Sequence, residues 1–382
     1  MPKRLAGSYR RAEGPSTAPA RFRQDPRTGD RRGAPVEWDK LNLMILVRAP
    51  LRISFVGGGT DLPEFYRKHP GRVISVTIDK YVYVLVNPTP LVDKFTIKYQ
   101  RTEIVDHPKD LEHTRLRAAL LDLGMVQSGL EVGSFADLPA KTGLGSSSSF
   151  SVALLRGLHA YRGRSLSNRD LAEEASRLEI DLVQEPIGKQ DQYAAAFGGF
   201  NVFQFNAHGP VDVSPVLLDY RKRSALEEHL LLFFTGITRP AASVLTEQRS
   251  RVEEHFETYV AMAESVGEFA RRVLEGDIRG MAHMLHEGWL RKRSLASSVS
   301  SSVLDGLYEA GLSAGAWGGK ILGAGGGGCL LLLAPPSAQA AVRRALEGRA
   351  AQERLAGFKE IGVRTVQSGT DLVYRDQQPP VY

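Results

Sequence analysis

The sequence predicts a protein of two domains that contain both helices and strands. Its 382 residues suit two domains of ordinary size, and 42% of them are hydrophobic, which is enough to build two cores. Runs rich in Val, Ile and Tyr, at residues 73–86 and 94–105, predict strands. Apolar residues at helical spacing predict a helix with one buried stripe, formed by Leu171, Ala175, Leu178 and Leu182.

The first forty residues differ in composition from the rest of the chain. They hold ten Lys/Arg, five Asp/Glu, five Pro and four Gly, so they contribute +5 of the formal net charge of +6. A segment with so few apolar residues cannot bury enough surface to offset its ordering entropy. We expect residues 1–43 to be a disordered basic extension, followed by domains at residues 44–216 and 217–382.

Charge and cysteine content exclude several classes of function. Because the chain after residue 40 is nearly neutral, we expect no nucleic-acid surface. No apolar run approaches the ~20 residues that span a bilayer, so we expect no membrane segment. The single cysteine, Cys329, allows neither an intrachain disulfide nor a cysteine-rich metal site, which suits a reducing cytoplasm.

A turn rich in glycine and serine leads directly into a helical pattern. It reads PAKTGLGSSSS at residues 139–149, and apolar residues continue it at Phe150, Leu154, Leu158 and Tyr161. Its glycines allow a tight turn, and unpaired N–H groups at a helix N-terminus attract anions. The segment predicts a phosphate site, although an ordinary N-capped helix has the same composition.

This turn, PxxxGLGSS before an amphipathic helix, resembles the ATP-phosphate loop of the GHMP small-molecule kinases. Two further motifs follow the family's order, at residues 50–61 and 318–329. The resemblance implies an α+β fold, with a left-handed βαβ crossover in the N-terminal domain, a ferredoxin-like C-terminal domain, and ATP between them. It implies ATP-binding residues in the loop, namely Lys141, Gly143, Leu144, Gly145, Ser146, Ser147 and Ser148.

The motif at residues 50–61 resembles the family's first motif. The resemblance implies that Arg52 lies near the attacked hydroxyl and that Asp61 binds the sugar. Leu51 stands where the family usually has glycine, and Gly58-Gly59 replaces Glu-His. These differences resemble the branch that acts on heptose 7-phosphate or fucose, and they make Gly58, Gly59 and Thr60 candidate sugar ligands. Arg52 as a surface strand residue and Asp61 as a helix N-cap are the plainer alternatives.

Two carboxylates further along the chain match the family's catalytic pattern. The resemblance implies that Glu179 binds Mg²⁺ together with Ser147, and that Asp191 is the catalytic base, with Lys189 as electrostatic support. Oxygen ligands of this kind suit Mg²⁺ that also binds ATP phosphates. A solvated helix face for Glu179, and a helix-dipole partner for Asp191, are the alternatives.

The glycine-rich segment at residues 318–329 resembles the family's third motif, which packs against the substrate and the phosphate loop. It makes Gly325 and Gly326 candidate substrate contacts, although a glycine-rich hairpin is the alternative. A phosphorylated sugar needs a second anion site. Basic residues near glycine-rich backbone or helix ends are candidates for it, namely Arg239, Lys292, Arg293 and Lys320. The cluster at residues 289–294 also fits a solvated helix end.

The resemblance therefore implies an ATP-dependent, Mg²⁺-dependent sugar kinase whose acceptor is the anomeric hydroxyl of a heptose 7-phosphate. Within the family, fucose is an alternative acceptor and diphosphate decarboxylation an alternative reaction. An inactive sugar-binding regulator, or a nucleotide-binding protein without phosphoryl transfer, belongs to a different functional class. The oligomeric state is left open, with a homodimer as one possibility.

Overall fold

The computed structural model describes residues 43–239 and 241–375, in which the chain forms two β-sheets flanked by helices. Apart from Leu43, the extension expected at residues 1–43 lies outside the described residues. Within the described ranges, no helix is both long and apolar enough to cross a membrane.

The first sheet begins with one continuous strand that runs through Pro50. This strand, β1 (Ile45–Val56), pairs with β2 (Gly71–Pro88) on both sides of a register shift between Pro50 and Leu51. Proline lacks an N–H donor and is tolerated in a strand at such an irregularity. Pro50 therefore interrupts the pairing without ending the strand.

The strand β2 is the centre of the first sheet. One edge of β2 pairs with β1, while the other edge pairs with two strands in succession. The remaining strands of this sheet are β3 (Phe95–Lys98), β4 (Thr102–Val105), β5 (Leu130–Ala136), β6 (Phe200–Phe205) and β7 (Asp212–Pro215). The path through the sheet runs β1-β2-β5-β3-β4, and β6 joins β2 to β7. The strands β3 and β5 are parallel neighbours, so the chain between them is the crossover connection of this half. The handedness of this crossover stays a prediction.

Helices cover the first sheet and supply its core. They are α1 (Pro63–Tyr66), α2 (Thr114–Asp122), α3 (Ser146–Tyr161), α4 (Asn168–Arg177) and α5 (Gln190–Phe197). The helix α3 packs against β1 and β2 through apolar side chains such as Val152 and Leu155. The helix predicted across Leu171 to Leu182 is α4 followed by a π turn, Leu178–Leu182.

The second half has the strand order expected of a ferredoxin-like domain. The strands β8 (Leu230–Thr235), β9 (Gly318–Ile321), β10 (Cys329–Leu333) and β11 (Phe358–Glu360) are antiparallel in the order β11-β8-β10-β9. Four helices lie between β8 and β9, and one lies between β10 and β11, which gives the βαββαβ pattern. The helices of this half are α6 (Tyr220–His229), α7 (Ala241–Ser250), α8 (Phe256–Glu275), α9 (Ile278–Arg293), α10 (Ser302–Ser313) and α11 (Pro336–Gln352).

The two halves share a buried core and a close backbone contact. One apolar cluster joins Leu51 and Ile53 of β1 with Phe269 of α8 and Leu285 of α9. At its edge, a Cβ on Gly323 would lie only 2.6 Å from the Cα atom of Gly143. Only glycine pairs allow this approach, which brings the phosphate loop against the glycine-rich turn.

The last described strand, β12 (Asp371–Arg375), returns to the first sheet and pairs antiparallel with β1. Residues 371–375 thus extend the first sheet, although the sequence-based division placed them in the C-terminal domain. The predicted two-domain α+β fold is confirmed, while the domain boundaries stay a prediction.

Candidate active site

A cavity of about 420 Å³ lies where the three sequence motifs meet. The phosphate loop, the segment at residues 184–191, the end of β1 with its glycine turn, and the turn after β9 all contribute to its walls. The phosphate loop contributes Lys141, Gly143, Gly145, Ser146, Ser147 and Ser148 to the lining, and the other segments contribute Ser54, Gly58, Gly59, Asp61, Lys292 and Lys320. We call the first set the phosphate-loop wall and the second set the acceptor wall, after the roles that the family resemblance predicts for them.

The phosphate-loop wall is the N-terminus of α3. Its N-cap is Gly145, with φ +80°, and no side chain caps the first turn. Ser146 and Ser147 line the cavity, whereas Ser149 is turned inward and donates to the carbonyl of Pro50 at 2.8 Å. The first N–H groups of α3 thus lack a protein cap beside the cavity, as anion-binding helix ends do. A serine side-chain cap, which an ordinary N-capped helix with this composition would have, is absent from this first turn.

Arg52 and Asp191, which both line the cavity, make a bidentate ion pair. Nε of Arg52 donates to one carboxylate oxygen of Asp191 at 2.8 Å, and Nη2 donates to the other at 2.7 Å. Nη1 of Arg52 also donates to the carbonyl of Gly143 at 2.7 Å. One guanidinium therefore fixes the carboxylate against the phosphate loop. The strand β1 carries Arg52 inward, where only 4% of it is exposed, so it is not a surface strand residue.

Asp61 is held by Gln190, the neighbour of Asp191. The Gln190 side chain donates to Asp61 at 2.9 Å and accepts a hydrogen bond from the Ser54 hydroxyl at 3.0 Å. A Cβ at Gly188 would lie 2.1 Å from the Asp61 carboxylate, so only glycine fits there. Burial, and then the charge of Asp191, raise the pKa of Asp61 above its usual value. This side chain faces the cavity and is not simply a helix N-cap, because α1 begins only at Pro63.

Two lysines lie on the acceptor wall, nearly buried. Lys292 is 5% exposed and Lys320 is 6% exposed. Lys320 donates to the carbonyls of Ser54 and Phe55 at 3.1 and 2.7 Å, and Lys292 donates to the carbonyl of Gly323. Within the described residues, neither lysine forms an ion pair with a carboxylate. Burial and the nearby Arg52 charge lower the pKa of Lys292 to about 8, and burial lowers that of Lys320.

Glu179 does not open onto the cavity. The π turn directs it inward, where it is fully buried. One carboxylate oxygen accepts from Arg115 and Ser151, each at 2.9 Å, and the other accepts from Ser148 at 2.7 Å and from Gln192. A carboxylate offers about four acceptor sites, so all are used. The solvated helix face that periodicity left open is excluded.

These contacts bear on the expected magnesium site. Ser147 is exposed in the cavity and suits a hard cation, but the hydroxyl that contacts Glu179 is that of Ser148. As arranged, Glu179 cannot bind a metal without losing one of its donors, so it does not fit that role. Among the described residues, no group of three His, Cys, Asp or Glu side chains is placed to hold a metal.

Three residues expected at the site lie elsewhere. Lys189 donates to Glu173 at 2.8 Å and lines a separate groove with Tyr66 and Arg177. Thr60 is buried and bonds to the carbonyls of Gly57 and Arg72 at 2.8 Å, which closes the glycine turn. The Leu144 side chain packs in the shared core, while its carbonyl accepts from the N–H of Arg52. All three residues therefore lie outside the lining of the cavity.

Four further candidates for the substrate also lie outside the cavity walls. Arg293 pairs with Asp305 at 2.7 Å, and Arg239 is exposed beside Gly326. A Cβ on Gly325 would meet Val299, and one on Gly326 would meet the carbonyl of Ser298. These glycines thus allow close packing of the turn onto residues 298–299. Of the four basic candidates, the structure brings only Lys292 and Lys320 to the cavity.

Several other cavity residues have little signal in the sequence. Arg115, Glu185, Gln190 and Gln248 all line the walls. Gln190 adjoins Asp191, which was a usable signal. Arg115 sits in an ordinary helical pattern, and its partner Glu179 is 64 positions away, so spacing within α2 could not reveal it.

Two family models and several known proteins match this chain. The model of the GHMP kinases N terminal domain matches residues 113–199, and that of the GHMP kinases C terminal domain matches residues 268–352. The chain is 26% identical over 294 residues to a D-glycero-alpha-D-manno-heptose 7-phosphate kinase of Campylobacter jejuni, which covers 74% of this chain and 86% of that one. It is 28% identical over 319 residues to a galactokinase of Thermococcus kodakarensis, covering 73% and 86%.

The fold also matches solved structures. A D-glycero-D-manno-heptose 1-phosphate kinase of Bacteroides thetaiotaomicron superimposes with a TM-score of 0.70 at 23% identity, covering 85% of this chain and 97% of that one. The family models and these relatives together indicate an ATP-dependent phosphotransferase with an alcohol group as acceptor. The chain carries regions that match both GHMP kinase domains, and sugar kinases are among the relatives that match most of its length.

Proposed function

We propose that this GHMP kinase transfers the γ-phosphoryl group of ATP to the anomeric hydroxyl of D-glycero-D-manno-heptose 7-phosphate. The product would be the 1,7-bisphosphate, which serves the synthesis of nucleotide-activated heptose for surface polysaccharide. The observation that carries this proposal is the pair of buried lysines, Lys292 and Lys320, on the acceptor wall.

Burying a cation without a carboxylate partner is costly, and a protein that keeps two such cations side by side has a use for them. An anionic group on the acceptor would supply the missing charge. A free sugar such as fucose would not. The heptose phosphate kinase among the relatives supports the same choice of acceptor.

The Arg52–Asp191 pair provides the chemistry of transfer. Each carboxylate oxygen of Asp191 accepts one bond from Arg52, which leaves acceptor capacity for the hydroxyl of the sugar. Asp191 then orients that hydroxyl and receives its proton. Arg52 stabilises the charge that develops next to the phosphate loop. This intact pair favours an enzyme over an inactive sugar-binding regulator.

Asp61 and Gln190 are proposed to hold the sugar ring. Asp61 lies beside Gly58 and Gly59, whose lack of side chains leaves room for the ring. Lys141, Ser146, Ser147 and the N-terminus of α3 are proposed to bind the ATP phosphates. Magnesium would neutralise phosphate charge when bound, and Ser147 is the proposed protein ligand among the cavity residues.

A substrate panel tests the proposal. Phosphoryl transfer from ATP is measured for heptose 7-phosphate, the free heptose, mannose, galactose and fucose, with the product identified by NMR. We expect kcat/KM for heptose 7-phosphate to exceed that for every free sugar by at least ~10-fold, the value of one charge-assisted contact. Equal turnover of a free sugar would contradict the acceptor and leave the kinase class intact.

Paired variants locate the phosphate. Lys292→Met should lower kcat/KM for heptose 7-phosphate by ~10- to 100-fold, because it removes one charge-assisted contact. The matched control is Arg291→Met on the same helix, whose side chain pairs with Glu287 outside the cavity lining. If both variants behave like the wild type, Lys292 does not bind the acceptor.

A further inference from the structure

Arg115 places a guanidinium on the phosphate side of the cavity. It lies on α2, and its side chain is 16% exposed. Its Nε donates to Glu179 at 2.9 Å, and its Nη2 bonds to Glu185 at 2.6 Å. Within the described part of the chain, these two carboxylates are its only partners. A guanidinium has five N–H donors, so several remain for a ligand.

Glu179 ties this guanidinium to the N-terminal turns of α3. The oxygen that accepts from Arg115 also accepts from Ser151, and the second oxygen accepts from Ser148 at 2.7 Å. The carboxylate of Glu179 therefore connects Arg115 with the phosphate loop. Because Ser148 and Arg115 both line the cavity, the Arg115 guanidinium and the N-terminus of α3 face the same space.

Glu185 contacts the Arg115 guanidinium from the other side. It follows Gln184, which has a φ of +62°, and precedes Pro186. Its N–H donates to the carbonyl of Glu179 at 2.9 Å, so the two carboxylates are joined through the backbone as well as through Arg115. This arrangement restricts the guanidinium to one position at the cavity wall.

We propose that Arg115 binds the phosphates of the nucleotide, and that Glu179 is a positioning residue that anchors Arg115 and the first turns of α3. A planar fork with free N–H groups matches the oxygens of a phosphate. Glu179 has no acceptor site left for a metal, so its charge serves the hydrogen-bond network. The inference rests on the proposed position of ATP at the phosphate loop, but not on the identity of the sugar.

The test measures binding of AMP-PNP by calorimetry, with excess Mg²⁺ and separately with EDTA, in the full-length protein. We expect Arg115→Met to weaken AMP-PNP binding by ~10- to 100-fold with Mg²⁺ present, and by a similar factor in EDTA. Arg115→Lys keeps the charge but loses the fork, and it should recover part of the affinity. Arg117→Met is the matched control, since Arg117 lies on the same helix, donates to the carbonyl of Leu111 and does not line the cavity.

The double variant separates an anchor from a metal ligand. If Glu179 acts through Arg115, Glu179→Gln should weaken AMP-PNP binding in both conditions, and it should add little to Arg115→Met. A purely structural role would add to the Arg115 effect instead. A loss confined to the Mg²⁺ condition would make Glu179 a metal ligand and overturn its proposed role.

Wild-type affinity of Arg115→Met in Mg²⁺, within about twofold, would overturn the role of Arg115; twofold is less than a single weak hydrogen bond contributes. Thermal unfolding of each variant shows whether a loss of binding reflects unfolding. Because no acceptor is added, these results are independent of the substrate panel, and a failure of either proposal is recognisable separately.

Discussion

At the scale of single residues, one guanidinium determines how the candidate catalytic carboxylate is presented. Arg52 contacts both oxygens of Asp191 and the carbonyl of Gly143. The family resemblance predicted both Arg52 and Asp191 as site residues, but it did not predict that they form an ion pair. Their separation of 139 positions explains why spacing could not show the contact.

Asp191→Asn tests the role of that carboxylate. The amide keeps the shape but cannot accept a proton, so kcat should fall by ~100- to 10,000-fold. Asp191 makes no proposed phosphate contact, and AMP-PNP affinity should stay within about twofold, which is below the effect of one lost hydrogen bond. Asp181→Asn, a change at an exposed carboxylate of the π turn, is the control for both measurements.

The pH dependence of acceptor binding should report Lys292. Its pKa is lowered to about 8 by burial first and then by Arg52, while Asp61 and Asp191 oppose that shift. Lys292 is therefore charged below pH 8 in the free enzyme, and a bound phosphate would raise its pKa. The KM for heptose 7-phosphate should be flat below pH 8 and rise above it. Initial rates measured from pH 6.5 to 9.5 check this.

Lys292→Met should remove that rise and also stabilise the protein. The folded-state pKa of Lys292 lies below its unfolded value of 10.5, so the folded protein binds fewer protons between these values. The residue thus costs stability below pH 8, and the cost disappears as the pH rises toward 10.5. Replacing it should raise the free energy of unfolding at pH 7 by roughly 1 to 3 kcal/mol. Urea unfolding measures this, and a decrease would contradict the assigned burial cost.

At the scale of elements, the glycine-rich turns could be predicted from the sequence, whereas the orientation of Glu179 on its helix could not. The glycines of the phosphate loop and of the third motif indicate that two backbone segments approach each other closely. The contact between Gly143 and Gly323 is such an approach. By contrast, apolar spacing could not show whether Glu179 faces inward. The π turn at Leu178–Leu182 changes the facing of the side chains, and a pattern of apolar residues at helical spacing carries no signal for it.

Gly143→Ala tests the contact between the two glycine turns. An added Cβ would lie 2.6 Å from the carbonyl oxygen of Leu322, and φ at this position is +77°. The phosphate loop must then shift, so AMP-PNP affinity should fall by ~10-fold or more, equivalent to the loss of one strong contact. Gly124→Ala is the control, because Gly124 has a φ of +64° with nothing within 4 Å. It should cost ~1 kcal/mol of stability and leave affinity unchanged; equal effects at both sites would refute the contact.

At the scale of the whole molecule, both halves line the cavity, the first with the phosphate loop and Asp61 and the second with Lys292 and Lys320. Length and composition predicted the two halves, and the resemblance predicted the ferredoxin-like order of the second. Neither could place β12, because a short strand that follows a long loop shows no preference for one sheet over the other. Its partner is set by the free edge of β1.

The basic segment at the start of the chain is predicted to be dispensable. Its composition cannot support a packed core, so deleting residues 1–42 should leave the melting temperature and kcat of the kinase unchanged. Calorimetry and the sugar kinase assay on both proteins check this. A loss of several degrees would show that the segment contributes to the fold.

The pairing of β12 with β1 has a consequence for synthesis on the ribosome. Arg48 of β1 and Asp371 of β12 are bonded across 323 positions. The other strands of the first sheet emerge first, yet one edge of β1 stays unpaired until β12 has been made. An open strand edge invites pairing with other chains. Nascent chains that stop before Asp371 should therefore self-associate more than complete ones, which light scattering of the released products would detect.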